Sequence, residues 1–313
     1  MIKEIEFIEK KAYQLENERM LVVVIPSEGA NLISLYDKEK RLEILRTPKT
    51  LDEYESRKMT FGTPVLFPPN RIEDATFTFD GRKYELEMNR AKENNHIHGF
   101  VHNKEWKVKE MNQEENSIVL QLRSIEHKDI VSQFPHEFVM EMTVILTNDG
   151  VEQRLTIKND SEKTMPLGIG YHTTFFFDQN ESVLNMEIGN QWELGERGLP
   201  TGEFLQSPYQ GKLSEGMLLK DIALDDVYQM SNVKKAVIQH KKEKIEVTYE
   251  VDEKFNQWVL FTADGKSDFI AIEPYSWVTN APNLTLPKEV TGMDELLSGE
   301  VKQYVTKIKV EEI

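Results

Sequence analysis

Four short segments carry side chains that could move protons or hold a polar ligand. The first contains Glu273, within Asp268-Phe269-Ile270-Ala271-Ile272-Glu273-Pro274-Tyr275-Ser276-Trp277. In extended backbone Phe269, Ala271 and Glu273 share one face, and Pro274 is expected to end the run. A carboxylate on an apolar strand face is either paired or functional, and desolvation there raises its pKa. His172 lies in Gly168-Ile169-Gly170-Tyr171-His172-Thr173-Thr174-Phe175-Phe176-Phe177. An imidazole among glycines and phenylalanines is costly to bury without a partner. The segment reads as a histidine lining an aromatic-walled pocket, with a satisfied core histidine as the plainer alternative. Asn94-Asn95-His96-Ile97-His98-Gly99-Phe100 puts His96 and His98 on one strand face, beside a glycine that lets another group approach. A polar-capped strand end would use the same residues. Gly62-Thr63-Pro64-Val65-Leu66-Phe67-Pro68-Pro69-Asn70-Arg71-Ile72 leaves an apolar strand along a path stiffened by prolines and delivers Asn70 and Arg71. Taken alone, Arg71 reads first as half of a surface ion pair.

Several chemistries are poorly served by this sequence. There are no cysteines, which removes disulfides, thiolate metal sites and cysteine nucleophiles together. A cupin-type metal site would want a Glu shortly after the second histidine, where this chain has His102 and Asn103. No phosphate-cradling glycine loop, dinucleotide fingerprint, nucleophile elbow or HExxH helix is present. The formal charge of −16, from 54 acidic and 38 basic side chains, disfavours nucleic acid and anionic membranes as partners. What remains is a set of histidines, one glutamate, one arginine and several aromatics. That set suits proton transfer on a neutral polyol, with no metal and no cofactor.

The elements that must position these groups are strands. Thr76-Phe77-Thr78-Phe79, residues 117–122, residues 138–146 and residues 244–249 alternate apolar and polar side chains with period two. Asp80-Gly81, Asp149-Gly150 and Asp264-Gly265 lie between such runs, where two-residue hairpin loops are expected. Helix is expected only in short pieces, at 51–58, 129–133 and 294–297. Many evenly spaced strands with little helix predict an all-β sandwich or barrel. Residues 195–216 hold Gly and Pro, but strand character resumes after them. They are read as a long loop on a single domain spanning 1–313. The segment 1–7 alternates charged and apolar residues, and 21–25 is too short to span a bilayer. The expectation is a soluble, cytoplasmic protein.

The ordered motifs Phe67-Pro-Pro-Asn-Arg-Ile72, His98-Gly-Phe100 followed by Trp106, Gly170-Tyr-His-Thr-Thr-Phe175, Asp225-Asp-Val-Tyr228 and Glu273-Pro resemble those of the aldose 1-epimerases, the galactose-mutarotase-like family. The likeness runs from about Pro26 to the end of the chain. It implies a large antiparallel β-sandwich with a sugar cleft on one sheet. It also implies roles: Glu273 as general base toward the anomeric hydroxyl, His172 as general acid toward the ring oxygen, and His98 as a second histidine on the sugar. Arg71 and Asn70 would bind the sugar, as would Asp225 or, one register along, Asp226. The implied activity is interconversion of α and β anomers of a hexose such as galactose or glucose, by a monomer or homodimer. Two departures stand out, the doubled proline before Asn70 and the extra His96. The competing readings are a mutarotase for phosphorylated hexoses, using Arg82, Lys83 or Arg90, a non-catalytic sugar-binding protein, and a metal-dependent β-sandwich enzyme resting on His96, His98 and His102. Tyr171 and Trp277 are candidates for stacking on the sugar or for the core.

Overall fold

The computed structural model describes residues 1–313. Period-two alternation becomes strand where it was expected. Strand Phe138–Leu146 buries Phe138, Met140, Met142, Val144 and Leu146 while the residues between them stay half exposed. Thr76–Phe79 is strand too, and Ile118, Leu120 and Leu122 are buried in Ser117–Arg123. Ile245–Val251 buries Ile245, Val247, Tyr249 and Val251, with Thr248 buried as well. The strands assemble into two large antiparallel sheets and a five-stranded N-terminal meander, Ile2–Phe7 through Leu42–Glu43.

The first large sheet is ordered Lys107–Asn112, Ser117–Arg123, Phe138–Leu146, Gly150–Asn159, Val301–Glu312, Ile245–Val251, Lys235–His240, Ser182–Met186. The second runs Pro200–Leu205, Ile188–Leu194, Asp225–Met230, Gln257–Phe261, Phe269–Tyr275, Gly170–Tyr171, Val65–Leu66, with Thr174–Phe176 also pairing Phe269–Tyr275. The two sheets pack face to face. Tyr249 of the first lies 5.3 Å from Phe175 and 6.3 Å from Trp258 of the second, ring centre to ring centre. Its hydroxyl meets Thr173 Oγ1 at 2.9 Å, so the buried polar end is satisfied. One contiguous apolar cluster draws on both sheets and on the N-terminal meander, and each fully buried aliphatic or aromatic side chain in it is worth roughly 1.5–3 kcal/mol. This is an all-β antiparallel sandwich, one of the two architectures that the alternation implied and the one that the family resemblance implied.

The helices at Leu51–Ser56 and Lys128–Gln133 sit where the sequence placed them, and none in the chain is long and apolar enough to cross a membrane. The third expected helix is not there. Asp294–Leu296 is a strand that pairs Met165–Leu167, and the helical turn lies just before it, at Lys288–Thr291. The short run offers too few residues for its period to distinguish the two states. Of the three Asp-Gly pairs, only Asp80-Gly81 makes a two-residue hairpin loop, with φ of 49° and 70°. Gly150 instead opens a strand opposite Lys309, and Asp264-Gly265 lies inside the longer connection 262–268. Residues 195–216 are only partly loop, since they include strand Pro200–Leu205 and helix Gln210–Glu215.

Gly150 shows how tightly the central strands approach. A Cβ built there would stand 1.9 Å from the Ile308 carbonyl oxygen of the neighbouring strand. Backbone in a sheet cannot yield as a side chain can, so overpacking at this position costs about 2 kcal/mol or more. Gly150→Ala should lower the urea midpoint accordingly at unchanged slope, and an unaltered midpoint would show that the strands separate more easily than their pairing suggests.

Candidate active site

Strand Phe269–Tyr275 is buried along its whole length, because one face meets the inter-sheet core and the other floors a cleft. Register sorts its side chains. Glu273 pairs Val259, Ala271 pairs Phe261, and Phe261 pairs Asp225, so Asp225, Phe261, Val259 and Glu273 share the cleft face. Asp226 is opposite Leu260, itself opposite core Ile272, and therefore turns away. Its carboxylate is engaged there by Gln191 Nε2 at 2.9 Å and by the Tyr228 hydroxyl at 3.2 Å. Between the two candidate aspartates, Asp225 is the one at the cleft.

Pro274 does not end this strand. Pairing continues through Pro274, opposite Trp258, to Tyr275. The amides of Ile272 and Ser276 donate to Thr173 O and Ile169 O on the same edge, and Pro274 takes the position between them, where an amide would have pointed at that neighbour. Gly170 pairs Tyr275 and Thr174 pairs Ala271 in one register, so His172 lies opposite Glu273, and the His172 amide donates to Pro64 O on its other side. Alternation then turns the His172 side chain to the cleft while Tyr171 and Thr173 face the core.

The segment 67–71 and the segment 98–100 are laced together. Phe100 N donates to Phe67 O, and His98 N donates to Asn70 O. The Phe67–Pro68 peptide is cis, and both Asn70 and His98 have positive φ, 55° and 64°. Gly99, also at positive φ, lies so close to Phe67 that a Cβ would meet the Phe67 carbonyl oxygen at 1.9 Å, which explains the glycine. The turn at His98 separates it from His96. Only Asn95–Ile97 is strand, and His96 is buried with Nδ1 2.6 Å from Glu87 O, outside the cleft. The expectation that His96 and His98 share a face is therefore wrong, because a left-handed residue resets the alternation. No three His, Asp or Glu side chains converge as metal ligands do.

The resulting cleft of about 280 Å³ is lined by Asn70, Arg71, His98, His172, Asp225 and Glu273, together with Arg90 and the apolar side chains of Met59, Val259 and Phe261. All six candidate site residues thus meet in one place. Tyr171 and Trp277 belong to the core instead, and Arg82 and Lys83 sit on the Thr76–Phe79/Arg82–Glu85 hairpin outside the cleft.

At the floor, His172 Nε2 is 3.3 Å from Glu273 Oε1, with His172 6 % and Glu273 2 % exposed. Burial pushes the carboxyl up to about 8, opposed by the hydroxyl of Tyr275, which donates to Oε2. Burial likewise pushes the His172 imidazole down to about 4. Thr174 Oγ1 donates to the His172 carbonyl at 3.2 Å and lies 3.3 Å from Nδ1. Its lone pair is thus available to Nδ1–H, which assigns the tautomer with Nε2 facing Glu273. Around neutrality the pair therefore holds one proton in total. His98, its ring 5.6 Å from that of His172, is held well below the ordinary histidine value by desolvation first and by His172 second.

Arg71 is poised but underused. Its contacts to Asp225 and to Glu93 are both 3.8 Å, and its Nε is buried without a hydrogen-bond partner. Asn70 Oδ1 steadies it, accepting from Arg71 N at 2.8 Å and from Nη1 at 3.2 Å. A residue that sequence reasoning passed over, Arg197, fixes the wall beside it. Its guanidinium donates to Glu93 O, Asn94 O, Asn95 Oδ1, Asp74 and Glu73, tying the tip of the Ile188–Leu194/Pro200–Leu205 hairpin to residues 93–95. The next residue, Gly198, packs on Arg71, where a Cβ would come within 2.9 Å of Cζ. Nothing in the local sequence signals this, since the partners lie about a hundred residues away.

A family model described as aldose 1-epimerase matches residues 11–309. The chain belongs to the aldose 1-epimerase family. Among curated relatives, the chromosomal LacX protein of Lactococcus lactis is 24% identical over 311 residues, covering 94% of each chain. Pig galactose mutarotase is 25% identical over 211 residues, 64% of this chain and 58% of that protein. Among solved structures, a galactose mutarotase-like protein from Clostridium acetobutylicum superposes with a TM-score of 0.93 at 28% identity, covering 100% of this chain and 99% of that one. Galactose 1-epimerase from Lactobacillus acidophilus superposes at 0.79 with 17% identity over 100% of this chain and 99% of its own, a likeness of fold.

The ionisation of the pair has a consequence that needs no substrate. Glu273, ordinarily near 4.5 and raised to about 8 in the fold, favours folding fully only below the lower value, and that advantage is lost as pH rises toward the upper one. His172 has the opposite sign, destabilising as pH falls from about 6.5 to about 4, and it cancels when two proteins that both contain it are compared. Glu273→Gln keeps the shape and the hydrogen bonds without the charge. Thermal melts of the two proteins should nearly coincide at pH 4 and diverge toward pH 9, with the variant melting higher by several degrees, on the order of 2–4 °C per kcal/mol. Parallel curves would mean that Glu273 ionises freely in the fold.

Proposed function

We propose that this member of the family is an active mutarotase that interconverts the α and β anomers of an uncharged hexose such as galactose or glucose. The observation that carries the reading is the buried His172–Glu273 pair on the floor of a cleft whose other polar groups have donors and acceptors to spare. Ring opening of a cyclic hemiacetal requires that a proton leave the anomeric hydroxyl while another reaches the ring oxygen. Glu273 as carboxylate takes the first and His172 as imidazolium gives the second. The C1–O5 bond breaks, O1 becomes the aldehyde oxygen, rotation about C1–C2 turns the other face, and closure reverses both transfers. No proton is gained or lost overall. In the free protein the shared proton rests on the carboxyl, and crossing 3.3 Å to Nε2 produces the working form. His98 beside the pair would hydrogen-bond the sugar and steady charge developing at the ring. Asn70, Arg71 and Asp225 would hold the ring hydroxyls.

The charge balance of the cleft supports a neutral substrate. Arg71 faces Asp225 and Glu93, and Arg90 Nε lies 3.4 Å from the same Glu93, so neither guanidinium is an uncompensated phosphate site. With Arg82 and Lys83 elsewhere, the cationic cluster that a sugar phosphate would want is not assembled.

Polarimetry on freshly dissolved α-galactose and α-glucose tests the reading. Wild-type protein should speed equilibration, and Glu273→Gln or His172→Asn should lose at least about a hundredfold of kcat. A faster rate on glucose 6-phosphate than on glucose would move the substrate to the phosphorylated class. No acceleration of any sugar by the wild type would leave a binding protein of the same fold. In the active case kcat/KM should be flat between two limbs. It should fall below about 4, where a second proton occupies the base, and above about 8, where the pair loses its only proton. A limb between these two, near the ordinary histidine value of about 6.5, would contradict the one-proton pair.

A further inference from the structure

Glu273 has two oxygens, and the fold treats them differently. Oε1 faces His172 Nε2 at 3.3 Å. Oε2 accepts the hydroxyl of Tyr275, two residues along the same strand and on the same face. Tyr275 is 0 % exposed, and its ring is seated as firmly as the glutamate it serves. It lies over Gly170 of the paired strand, where a Cβ would come within 2.4 Å of Tyr275 Cδ1 and 2.8 Å of Pro69 Cβ. Gly170 is therefore the vacancy into which the tyrosine fits, and Pro69 closes the far side.

We propose that Tyr275 is a positioning residue that selects the working oxygen of Glu273, occupying Oε2 and leaving Oε1, beside His172, to take and return the proton. A carboxylate free to rotate about its last torsion would present either oxygen. With Oε2 pinned, the lone pairs of Oε1 are aimed at one point for every turnover, and the acid and the base keep a fixed spacing. Tyr275 also bears on where the proton sits. A hydroxyl donating to a buried carboxylate stabilises the charged form, which is the form a base must reach. The tyrosine does not compete for that proton. Desolvation first, and Glu273 second, hold its phenol well above the ordinary tyrosine value, so it stays a donor. The burial of the strand explains why the device is needed, since a buried carboxylate oxygen is costly without a protein donor.

The inference rests on Glu273 acting as the base, and the experiment separates the two. In protein labelled with 13C at the glutamate carboxyl and the tyrosine ζ carbon, the Glu273 signal is assigned by its loss in Glu273→Gln. In the wild type the Tyr275 ζ carbon should shift at the same midpoint as the Glu273 carboxyl. Tyr275→Phe should move the carboxyl midpoint to higher pH by about one unit or more. It should also lower kcat by about tenfold with little change in KM, and carry the alkaline limb of the rate profile upward with the midpoint. A Tyr275 signal blind to the Glu273 titration overturns the proposal, as does a loss of kcat with the midpoint and limb unmoved. Coupled titrations without turnover of any sugar by the wild type would uphold the contact and sink the mutarotase reading instead.

Discussion

A carboxyl group placed in the middle of a buried strand dominates the energetics of this protein. Glu273 lies with the sandwich core behind it and Val259 and Phe261 beside it, where an isolated charge would be very costly. The fold meets that cost by letting Glu273 and His172 hold one proton between them, so that a neutral arrangement is always available. The neighbouring groups follow from this. Thr174 sets the tautomer of the imidazole, Tyr275 satisfies the second carboxyl oxygen, and Asp225 adds a negative charge that further disfavours ionisation of Glu273. The same burial that is unfavourable to a charge is useful for chemistry, since it holds the two protonation states close in energy and keeps water from levelling them.

The cleft lies where regular pairing stops. Three departures from the sheet meet there: Pro274 in mid-strand, the interruption at His172, and the left-handed residues Asn70 and His98 on two segments laced to each other. A regular ladder spends each amide on its neighbour and projects side chains on a fixed period. Here Pro274 removes one amide, yet Gly170–Tyr275 and Thr174–Ala271 keep one register across the gap. A histidine therefore faces a glutamate on the adjacent strand while the surrounding strands remain rigid. Backbone strain at Asn70 and His98 is tolerated because each is fixed by hydrogen bonds to the other's segment.

These relationships also explain which parts of the site could be read in the amino-acid order. Alternation reports burial, so strands such as Phe138–Leu146 and the sandwich itself were legible, and so was a carboxylate on an apolar face. Glu273 and His172 were legible because their side-chain types are expensive in such company, whereas Asn70, Arg71, His98 and Asp225 were marked out by motifs that resemble a family. Failures came where local rules are overridden by partners distant in sequence. Local rules end a strand at Pro274, yet the strand runs on because neighbouring amides at Ile272 and Ser276 hold that edge. Strand alternation puts His96 and His98 on one face, yet a positive φ at His98 parts them. The choice between Asp225 and Asp226 needed the register against Phe261 and Leu260, and Arg197 needed partners at Glu73 and Glu93–Asn95. Three-residue stretches such as Asp294–Leu296 carry too little period to distinguish strand from helix.

The division of labour within the cleft follows the chemistry of aldoses. Every cyclic aldose presents the same hydroxyl and ring oxygen at the anomeric centre, and in the proposed mutarotase the groups that would face these atoms, Glu273 and His172, come from the large sheet. The remaining hydroxyls differ from sugar to sugar. Of the groups that would meet them, Asp225 opens a strand of the large sheet, whereas Asn70 and Arg71 come from the laced segments outside it, and Arg197 and Gly198 set the pose of that wall from a hairpin tip. Loops can change without disturbing the inter-sheet core, whereas a shift of the Phe269–Tyr275 strand would disturb both the core and the proton pair. Specificity in such a protein can therefore drift while the acid–base centre stays fixed. The net charge of −16 does not oppose a sugar, because the cleft itself sets two guanidinium groups against Glu93 and Asp225. A neutral polyol enters such a field without the desolvation cost that an anion or a cation would meet.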